Sequence, residues 1–265
     1  MVSLGINLKE WGKYPIMRIM FNVYQMLAVD YVAVVITQLV ASIQDLRDRE
    51  ISDWVWIIGS VICVPLGAYA ALELSQLFLY IISVIIGSVF ALLAYWLRAM
   101  GGADSKSIAF ISASIPTITA PNMALTVINI TPLSILVNSL MIALIIYIPY
   151  NVMQNVRYGS RCEALTRVKG ISKIIYLLTL MCVPAHRVIR NPNNYAISQE
   201  LSGDEFQPVI RLGLDVDDPR EPLLDWLSRG RISISTPILV SYHIPFILPI
   251  TLGLLMYLAV HVNFL

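Results

Sequence analysis

Long apolar stretches alternate with short polar ones along this chain, and the apolar stretches are as long as a bilayer is thick. A helix needs about 20 predominantly apolar residues to cross roughly 30 Å of hydrocarbon. Stretches that meet or approach this length lie at residues 26–44, 54–72, 77–97, 107–128, 133–153 and 237–260. The pattern therefore predicts an all-α, polytopic membrane protein with about six transmembrane helices.

Proline interrupts two of the six predicted spans. The fourth contains Pro116 and Pro121, and the sixth contains Pro245 and Pro249. Because proline removes a backbone donor and clashes with the preceding turn, we expect these spans to be short or kinked. Irregular backbone at membrane depth is tolerated where it is buried or lines a cavity. We therefore expect a route for a substrate beside the sixth span.

Charged residues are concentrated between the fifth and sixth spans. Residues 154–235 hold 20 of the 35 Lys, Arg, Asp and Glu residues, so this segment is expected outside the membrane. Its one apolar run, 174–185, is too short to cross a bilayer and is expected at the interface or in a small core. The predicted divisions are an N-terminal extension of uncertain role (1–25), a membrane core (26–153), this insert, and a final transmembrane helix (236–265).

Composition narrows the class of protein further. Hydrophobic residues make up 57% of the 265 residues and charged residues only 13%, whereas roughly 25% charged residues is usual in soluble domains. The net charge of +1 gives no general attraction for nucleic acid. The three cysteines have neither CxxC nor paired spacing, which argues against a disulfide framework and a zinc site. The lipid bilayer is therefore an expected partner, and nucleic acid is not.

Basic residues predict the orientation, because Lys and Arg are enriched in cytoplasmic loops. Arg47 and Arg49 follow the first span, Arg98 and Lys106 follow the third, and a basic cluster follows the fifth. The loops after the second and fourth spans contain neither Lys nor Arg. Three basic residues before the first span favour the opposite orientation, but we give more weight to the three internal loops. We expect the odd-numbered spans to end in the cytoplasm.

Two aspartates stand at span ends that this topology places at one membrane level. Asp45 closes the first span, the second and third spans form a hairpin, and Asp104 opens the fourth. Two carboxyls brought close cannot both ionise easily, so one can act as a base on water while the other polarises a carbonyl. This is aspartyl-protease chemistry and needs no cofactor. The sequence contains no HExxH motif and its three histidines are widely spaced, so no metal site is expected.

Each of these acids also has a purely structural interpretation. Asp45 can form an i,i+4 ion pair with Arg49, and Asp104 can cap the fourth span. Asp48 is expected to be a solvated partner of the neighbouring arginines, and Asp53 to cap the second span. Residue types alone leave these alternatives open.

Three segments carry a resemblance to a known family. Residues 44–54 read QDLRDREISDW, residues 101–106 read GGADSK, and a proline-rich segment at 232–252 leads into the last span. Together they resemble the archaeal preflagellin and prepilin peptidases, which are membrane aspartyl proteases of the GxGD type. The family has glycine where this chain has Ala103. The four cysteines of the zinc-binding insert in many bacterial relatives are missing, which points to an archaeal source.

The resemblance assigns roles to individual residues. Asp45 and Asp104 match the two catalytic aspartates of the family. Lys106 matches a lysine that is common after the second motif. Gly101, Gly102, Lys106 and Arg49 are expected to support substrate binding.

The resemblance also implies a reaction. Such enzymes remove the short basic leader of class III signal sequences from archaellin and type IV pilin precursors, at the cytoplasmic face of the cell membrane. These precursors are therefore the expected protein partners. Within the insert, Asp215, Asp217 and Asp218 are candidates for attracting a basic leader, although a solvated loop is the favoured explanation for them.

Two other functions compete with this interpretation. An intramembrane protease of the presenilin or signal-peptide-peptidase type is expected to carry Tyr-Asp and Pro-Ala-Leu motifs, and this sequence has neither. A non-enzymatic transporter or assembly protein would place acids near span midpoints, and only Asp30 approaches that position. The sequence does not determine an oligomeric state.

Overall fold

A computed structural model of the chain describes residues 15–117, 130–203, 205–209 and 218–261. The helices are α1 (Pro15–Asp48), α2 (Asp53–Glu73), α3 (Leu77–Trp96), α4 (Gly102–Ser114), α5 (Thr131–Tyr158), α6 (Glu163–Thr166), α7 (Ile171–Thr179), α8 (Ala185–Arg190), α9 (Arg220–Ser228) and α10 (Ile247–His261). The strands are β1 (Met181–Pro184), β2 (Tyr195–Ile197), β3 (Gln199–Ser202), β4 (Glu205–Pro208) and β5 (Pro237–Tyr242).

The chain divides into two compact units. Unit 1 comprises residues 1–96, 100–139 and 247–265, and unit 2 comprises residues 97–99 and 140–246. Unit 2 is therefore longer at both ends than the predicted insert. Our four-part division of the chain stays a prediction.

Four helices in the described part of the chain are long and apolar enough to cross a membrane. They are Asn22–Asp48, Asp53–Glu73, Leu77–Trp96 and Thr131–Arg161. They coincide with the first, second, third and fifth predicted spans, although α1 begins earlier than expected, at Pro15. A mostly helical chain with four candidate membrane spans is thereby confirmed, while the count of six spans stays a prediction.

The fourth predicted span differs from its expected form. α4 begins at Gly102 and ends at Ser114, two residues before Pro116, so it has only 13 residues. The rest of that span, including Pro121, lies outside the described residues. The helix is about 20 Å long at 1.5 Å per residue, which is less than a bilayer core.

The expectation of an all-α fold was wrong for unit 2, and the sixth predicted span began too early. Residues 237–242 (PILVSY) form β5, which pairs antiparallel with β1 on one side and β2 on the other. A short apolar run of this kind suits a buried strand as well as a helix. Pro245 follows, and the helix α10 begins only at Ile247.

Small residues bring the helices of unit 1 into close contact. A Cβ atom added at Gly67 of α2 would lie 2.0 Å from the backbone oxygen of Ser114, and one added at Gly87 of α3 would lie 1.9 Å from Oγ of Ser112. Both α2 and α3 therefore touch α4 directly, as helices in membranes often do at small residues. This packing fixes the position of α4, whose first turn carries Asp104.

Unit 2 has an apolar core of its own. Its three-stranded sheet has the order β1-β5-β2, and β3 and β4 form a separate antiparallel pair. Phe206 and Trp226 meet edge to face, with their ring centroids 4.8 Å apart. The second half of the predicted apolar run belongs to this core, because Leu180 to Ala185 are all buried.

Candidate active site

Asp45 lies in the last turn of α1, on the helix face that is directed into unit 1. Gln38, Ala41, Ser42 and Asp45 are all buried and recur every three or four residues, which places them on one face of the helix. The sequence therefore carries the acid to the end of α1 without turning it toward lipid or water.

Asp104 lies in the first turn of α4. The N-cap of this helix is Gly101, whose backbone N–H donates to Oδ2 of Asp104 at 3.3 Å. Asp104 therefore caps α4, as one interpretation predicted, but it is the third residue of the helix and not the N-cap residue. A Cβ atom added at Gly101 would lie 3.2 Å from that oxygen. Ala103 is an ordinary helical residue, so alanine is accommodated where the family has glycine.

Asp45 lies close enough to Asp104 for its charge to affect the ionisation of Asp104. Burial and, second, the negative charge of Asp45 raise the pKa of Asp104 to about 7. The N–H of Gly101 and the positive charge of Arg49 oppose this rise in pKa. Near neutral pH the Asp104 carboxyl therefore readily holds a proton while lying beside a second acid, which is the condition for a dyad that shares one proton.

Fixed groups surround the Asp45 carboxyl. The backbone N–H of Ile247, the first residue of α10, hydrogen-bonds to it, and the charge of Arg49 lies nearby. Oδ2 of Asp45 is buried and has no hydrogen-bond partner among the residues that the structure describes. That oxygen has an unused capacity to accept a hydrogen bond from a water or a protonated acid.

Two pairs of polar side chains lie one or two helical turns farther from the helix ends than the two acids. Oγ of Ser107, three residues after Asp104, donates to Oε1 of Gln38 at 2.9 Å. The hydroxyls of Ser42 and Thr251 are 2.7 Å apart and connect α1 to α10. Our sequence reasoning missed these four residues. The available signal was the polar pattern at Gln38, Ser42 and Asp45, which repeats at helical spacing inside an apolar span.

Two basic residues, Arg49 and Lys106, were predicted to support substrate binding, and their surroundings differ. Arg49 follows α1 with a positive φ of 60°, and its backbone N–H donates to the carbonyl oxygen of Asp45 at 3.2 Å. Nζ of Lys106 lies 2.6 Å from Oδ1 of Asp53, and both side chains are exposed. Lys106 therefore connects the beginnings of α4 and α2. Among the described residues, no hydrogen bond joins it to Asp45 or Asp104.

The remaining predicted polar residues are accounted for as follows. Asp48 forms an exposed ion pair with Arg47 at 3.7 Å, as expected. Asp53 is the first residue of α2, whose N-cap is Ser52, so the expected capping role of Asp53 was misplaced by one residue.

The expected docking point for a basic leader is described only in part. Asp218 is already paired with Arg220, their charged atoms lying 2.7 Å apart. Asp215 and Asp217 lie outside the described residues.

Metal ligands are not grouped in the described ranges, where no three His, Cys, Asp or Glu side chains lie close enough to hold an ion. What α1, α4 and α10 assemble is a pair of carboxyls with one fixed backbone donor for each. Such a pair can hold and move one proton between a water and a carbonyl group.

Comparison with known proteins gives an independent view of the same residues. Residues 32–148 match the model of the type IV leader peptidase family, and this range includes both acids. The resemblance to preflagellin and prepilin peptidases is confirmed. The family is one of proteases.

Two relatives are preflagellin peptidases. That of Methanococcus maripaludis is 26% identical over 143 residues, which is 50% of this chain and 61% of the relative. That of Methanococcus voltae is 36% identical over 86 residues, which is 31% of this chain and 36% of the relative. In both cases the match spans less than two thirds of the relative's length.

Proposed function

We propose that the chain is a membrane aspartic endopeptidase that removes the short basic leader from preflagellin-like and type IV pilin-like precursors. The observation that supports the proposal is that the charge of Asp45, at the end of α1, raises the pKa of Asp104, at the beginning of α4. Asp45 is buried and Asp104 is half-buried, and this electrostatic interaction away from bulk water is what a proton-sharing dyad requires.

In the proposed reaction the two acids have complementary roles. Asp45, which accepts from Ile247 and lies near Arg49, takes a proton from a water molecule as general base. Asp104, whose pKa burial raises to about 7, donates a hydrogen bond to the scissile carbonyl oxygen. The water oxygen bonds to the carbonyl carbon, the carbon–nitrogen bond then breaks, and the proton that Asp45 took from the water passes to the departing amine nitrogen.

The position of the acids also suggests how the substrate lies. Asp45 is three residues from the end of α1, and Asp104 is in the first turn of α4. A precursor with an apolar helix can keep that helix in the bilayer while the preceding polar leader reaches the two acids. By the distribution of basic residues, this membrane face is the cytoplasmic one.

A cleavage assay tests the proposal. The purified full chain in liposomes is mixed with a preflagellin-like precursor that has a basic leader, and the new N-terminus is determined by mass spectrometry. We expect one cut between the leader and the apolar helix. Asp45→Asn and Asp104→Asn should leave the precursor intact.

The matched control for this assay is Asp48→Asn. Asp48 lies in the same last turn of α1 as Asp45 but is exposed and paired with Arg47. The Asp48→Asn variant should cleave the precursor at the rate of the unaltered chain. Failure of the unaltered chain to cut any such precursor, or normal cleavage by either dyad variant, would overturn the proposal.

A further inference from the structure

α7, in unit 2, has an unusually exposed apolar face. Ile171, Ile174, Ile175 and Leu178 are 77%, 57%, 50% and 37% exposed, respectively. They occupy positions i, i+3, i+4 and i+7, so they form one continuous stripe along the helix. We call these four residues the α7 stripe. Four branched aliphatic side chains on one short helix are more than scattered surface residues would provide.

The opposite face of α7 is used by unit 2 itself. Tyr176 and Leu177 are partly buried and pack against the apolar core of that unit. The core therefore fixes which way the helix is turned, and the α7 stripe points away from it. The stripe is not a part of the core that has come loose.

Hydrogen bonds hold α7 against the membrane-spanning helix α5. Nδ2 of Asn151 donates to the carbonyl oxygen of Leu178 at 2.9 Å, and Nδ2 of Asn155 donates to that of Leu177 at 3.0 Å. The candidate span that contains these asparagines begins at Thr131. Asn151 lies about 30 Å along it at 1.5 Å per residue, which is the thickness of the hydrocarbon core. The end of α7 is therefore held at the depth where this span leaves the hydrocarbon.

Positive charge surrounds the same helix. Between residues 157 and 173 the chain has five Lys or Arg residues and one acid, Glu163. Arg167 is engaged by Glu163 and Glu205, whereas Lys169 and Lys173 are exposed. Anionic lipid headgroups attract basic segments that lie next to a membrane span.

We propose that α7 is an interfacial helix that lies in the leaflet where α5 ends. The α7 stripe inserts among the acyl chains, and Lys169 and Lys173 lie among anionic phosphate groups. A bilayer fits better than a protein partner because the helix is bound to a membrane-spanning element at the right depth and carries the matching charge. The proposal requires a membrane-spanning chain but not peptidase activity.

Depth measurements with spin labels test this proposal on the full chain in liposomes. A label is attached to Ile174→Cys in the stripe or to Ser172→Cys, an exposed position beside it. The unaltered chain measures the background, because its three cysteines are buried. We expect the label at position 174 to collide several-fold more with oxygen, which dissolves in lipid, than with a water-soluble nickel chelate. The label at position 172 should show the reverse preference.

Two results would overturn the proposal. Equal access of the nickel chelate to both labels would place the stripe in water. Protection of position 174 from both reagents would mean that a protein surface, such as a second copy or a precursor, covers the stripe instead.

A second pair of variants keeps the test independent of labelling. Relative to the unaltered chain, Ile174→Trp should add tryptophan fluorescence that brominated lipid quenches. Ser172→Trp should add fluorescence that aqueous acrylamide quenches. Lys169→Glu combined with Lys173→Glu should remove any increase in lipid quenching that anionic lipid causes. If that increase persists unchanged, the charge argument is wrong. Because neither readout uses cleavage, a failure here is distinguishable from a failure of the peptidase proposal.

Discussion

Two buried aspartates on α1 have contrasting surroundings. Asp45 and Asp30 are 15 residues apart, or about 22 Å along the helix, and both are buried. Asp45 has a backbone donor from Ile247, a nearby arginine and a second acid. Among the described residues, the hydrogen-bonding neighbour of the Asp30 carboxyl is the Cys63 thiol, a weak donor that forms no well-aligned bond to either carboxyl oxygen. Burial is therefore common to both acids, and only the surroundings of Asp45 provide the parts of a catalytic site.

The contrast shows what the apolar interior demands of an acid. A carboxyl group removed from water loses hydration, and that loss is offset only by donors and charges that are already in place. The Asp45 end of α1 provides them, because α4 and α10 begin there. At the Asp30 end the described structure offers the weak Cys63 donor and no positive charge.

Replacement of the dyad should have the largest effect. Asparagine keeps the shape of aspartate but cannot titrate, so Asp45→Asn and Asp104→Asn should each lower kcat for leader removal by about 10²- to 10⁴-fold. Asp30→Asn should stay within a few-fold of the unaltered chain. The measurement is a time course of precursor cleavage in liposomes. A large loss of kcat in Asp30→Asn with the protein still folded would make Asp30 part of the chemistry.

Removal of the Asp30 carboxyl should stabilise the protein. A buried polar group that lacks a good hydrogen bond costs about 1–3 kcal/mol, and an apolar group of similar volume avoids that cost. We therefore expect Asp30→Leu to raise the midpoint of thermal unfolding in detergent. Val34→Leu is the control, since it changes a buried apolar residue one turn away. A lower midpoint for Asp30→Leu would show that Asp30 has a stabilising partner.

The pH dependence of cleavage should follow Asp104. Its pKa is raised to about 7, so the carboxyl is protonated below that pH and ionised above it. If the protonated form polarises the carbonyl, kcat should fall as pH rises through about 7, by up to about tenfold per pH unit. Arg49 lowers the pKa of Asp104, so Arg49→Gln should move this fall to higher pH.

Arg47→Gln is the control for the pH experiment, because Arg47 is exposed and pairs with Asp48. It should leave the midpoint of the fall where it is. A profile that is flat between pH 6 and 8 would contradict the assignment of the acid to Asp104.

Lys106 should have the smallest effect. Its ion pair with Asp53 is exposed, and such pairs contribute about 0–1 kcal/mol. Lys106→Gln should therefore change stability by less than about 1 kcal/mol and change KM and kcat only slightly. A large rise in KM alone would instead support the role in substrate binding that the family resemblance implies.

Some of the fold and the site could be predicted from the sequence. The lengths of the apolar runs were sufficient to find α2, α3 and α5, and the positions of Asp45 and Asp104 at helix ends followed from the topology. These inferences depend on local hydrophobicity and on loop lengths, which a single sequence contains.

The rest could not be predicted because it depends on distant partners. Residues 237–242 are apolar enough for a helix, and they form a strand because β1 and β2 satisfy their backbone groups. The contact of Gln38 with Ser107 spans 69 residues, and that of Ser42 with Thr251 spans 209. No local pattern specifies which polar residue of one span meets which residue of another.

The proposed dyad requires that the ionisation of Asp104 depend on that of Asp45. Infrared difference spectra of the chain with ¹³C-labelled aspartate, taken between the unaltered protein and Asp104→Asn, isolate the carboxyl band of Asp104. We predict a protonated band that disappears with a midpoint of about 7. In the Asp45→Asn background the midpoint should fall but remain above the ordinary value of 3.8, because burial is the larger cause of the raised pKa. A midpoint near 3.8 in the unaltered protein, or one that Asp45→Asn does not move, would contradict the account.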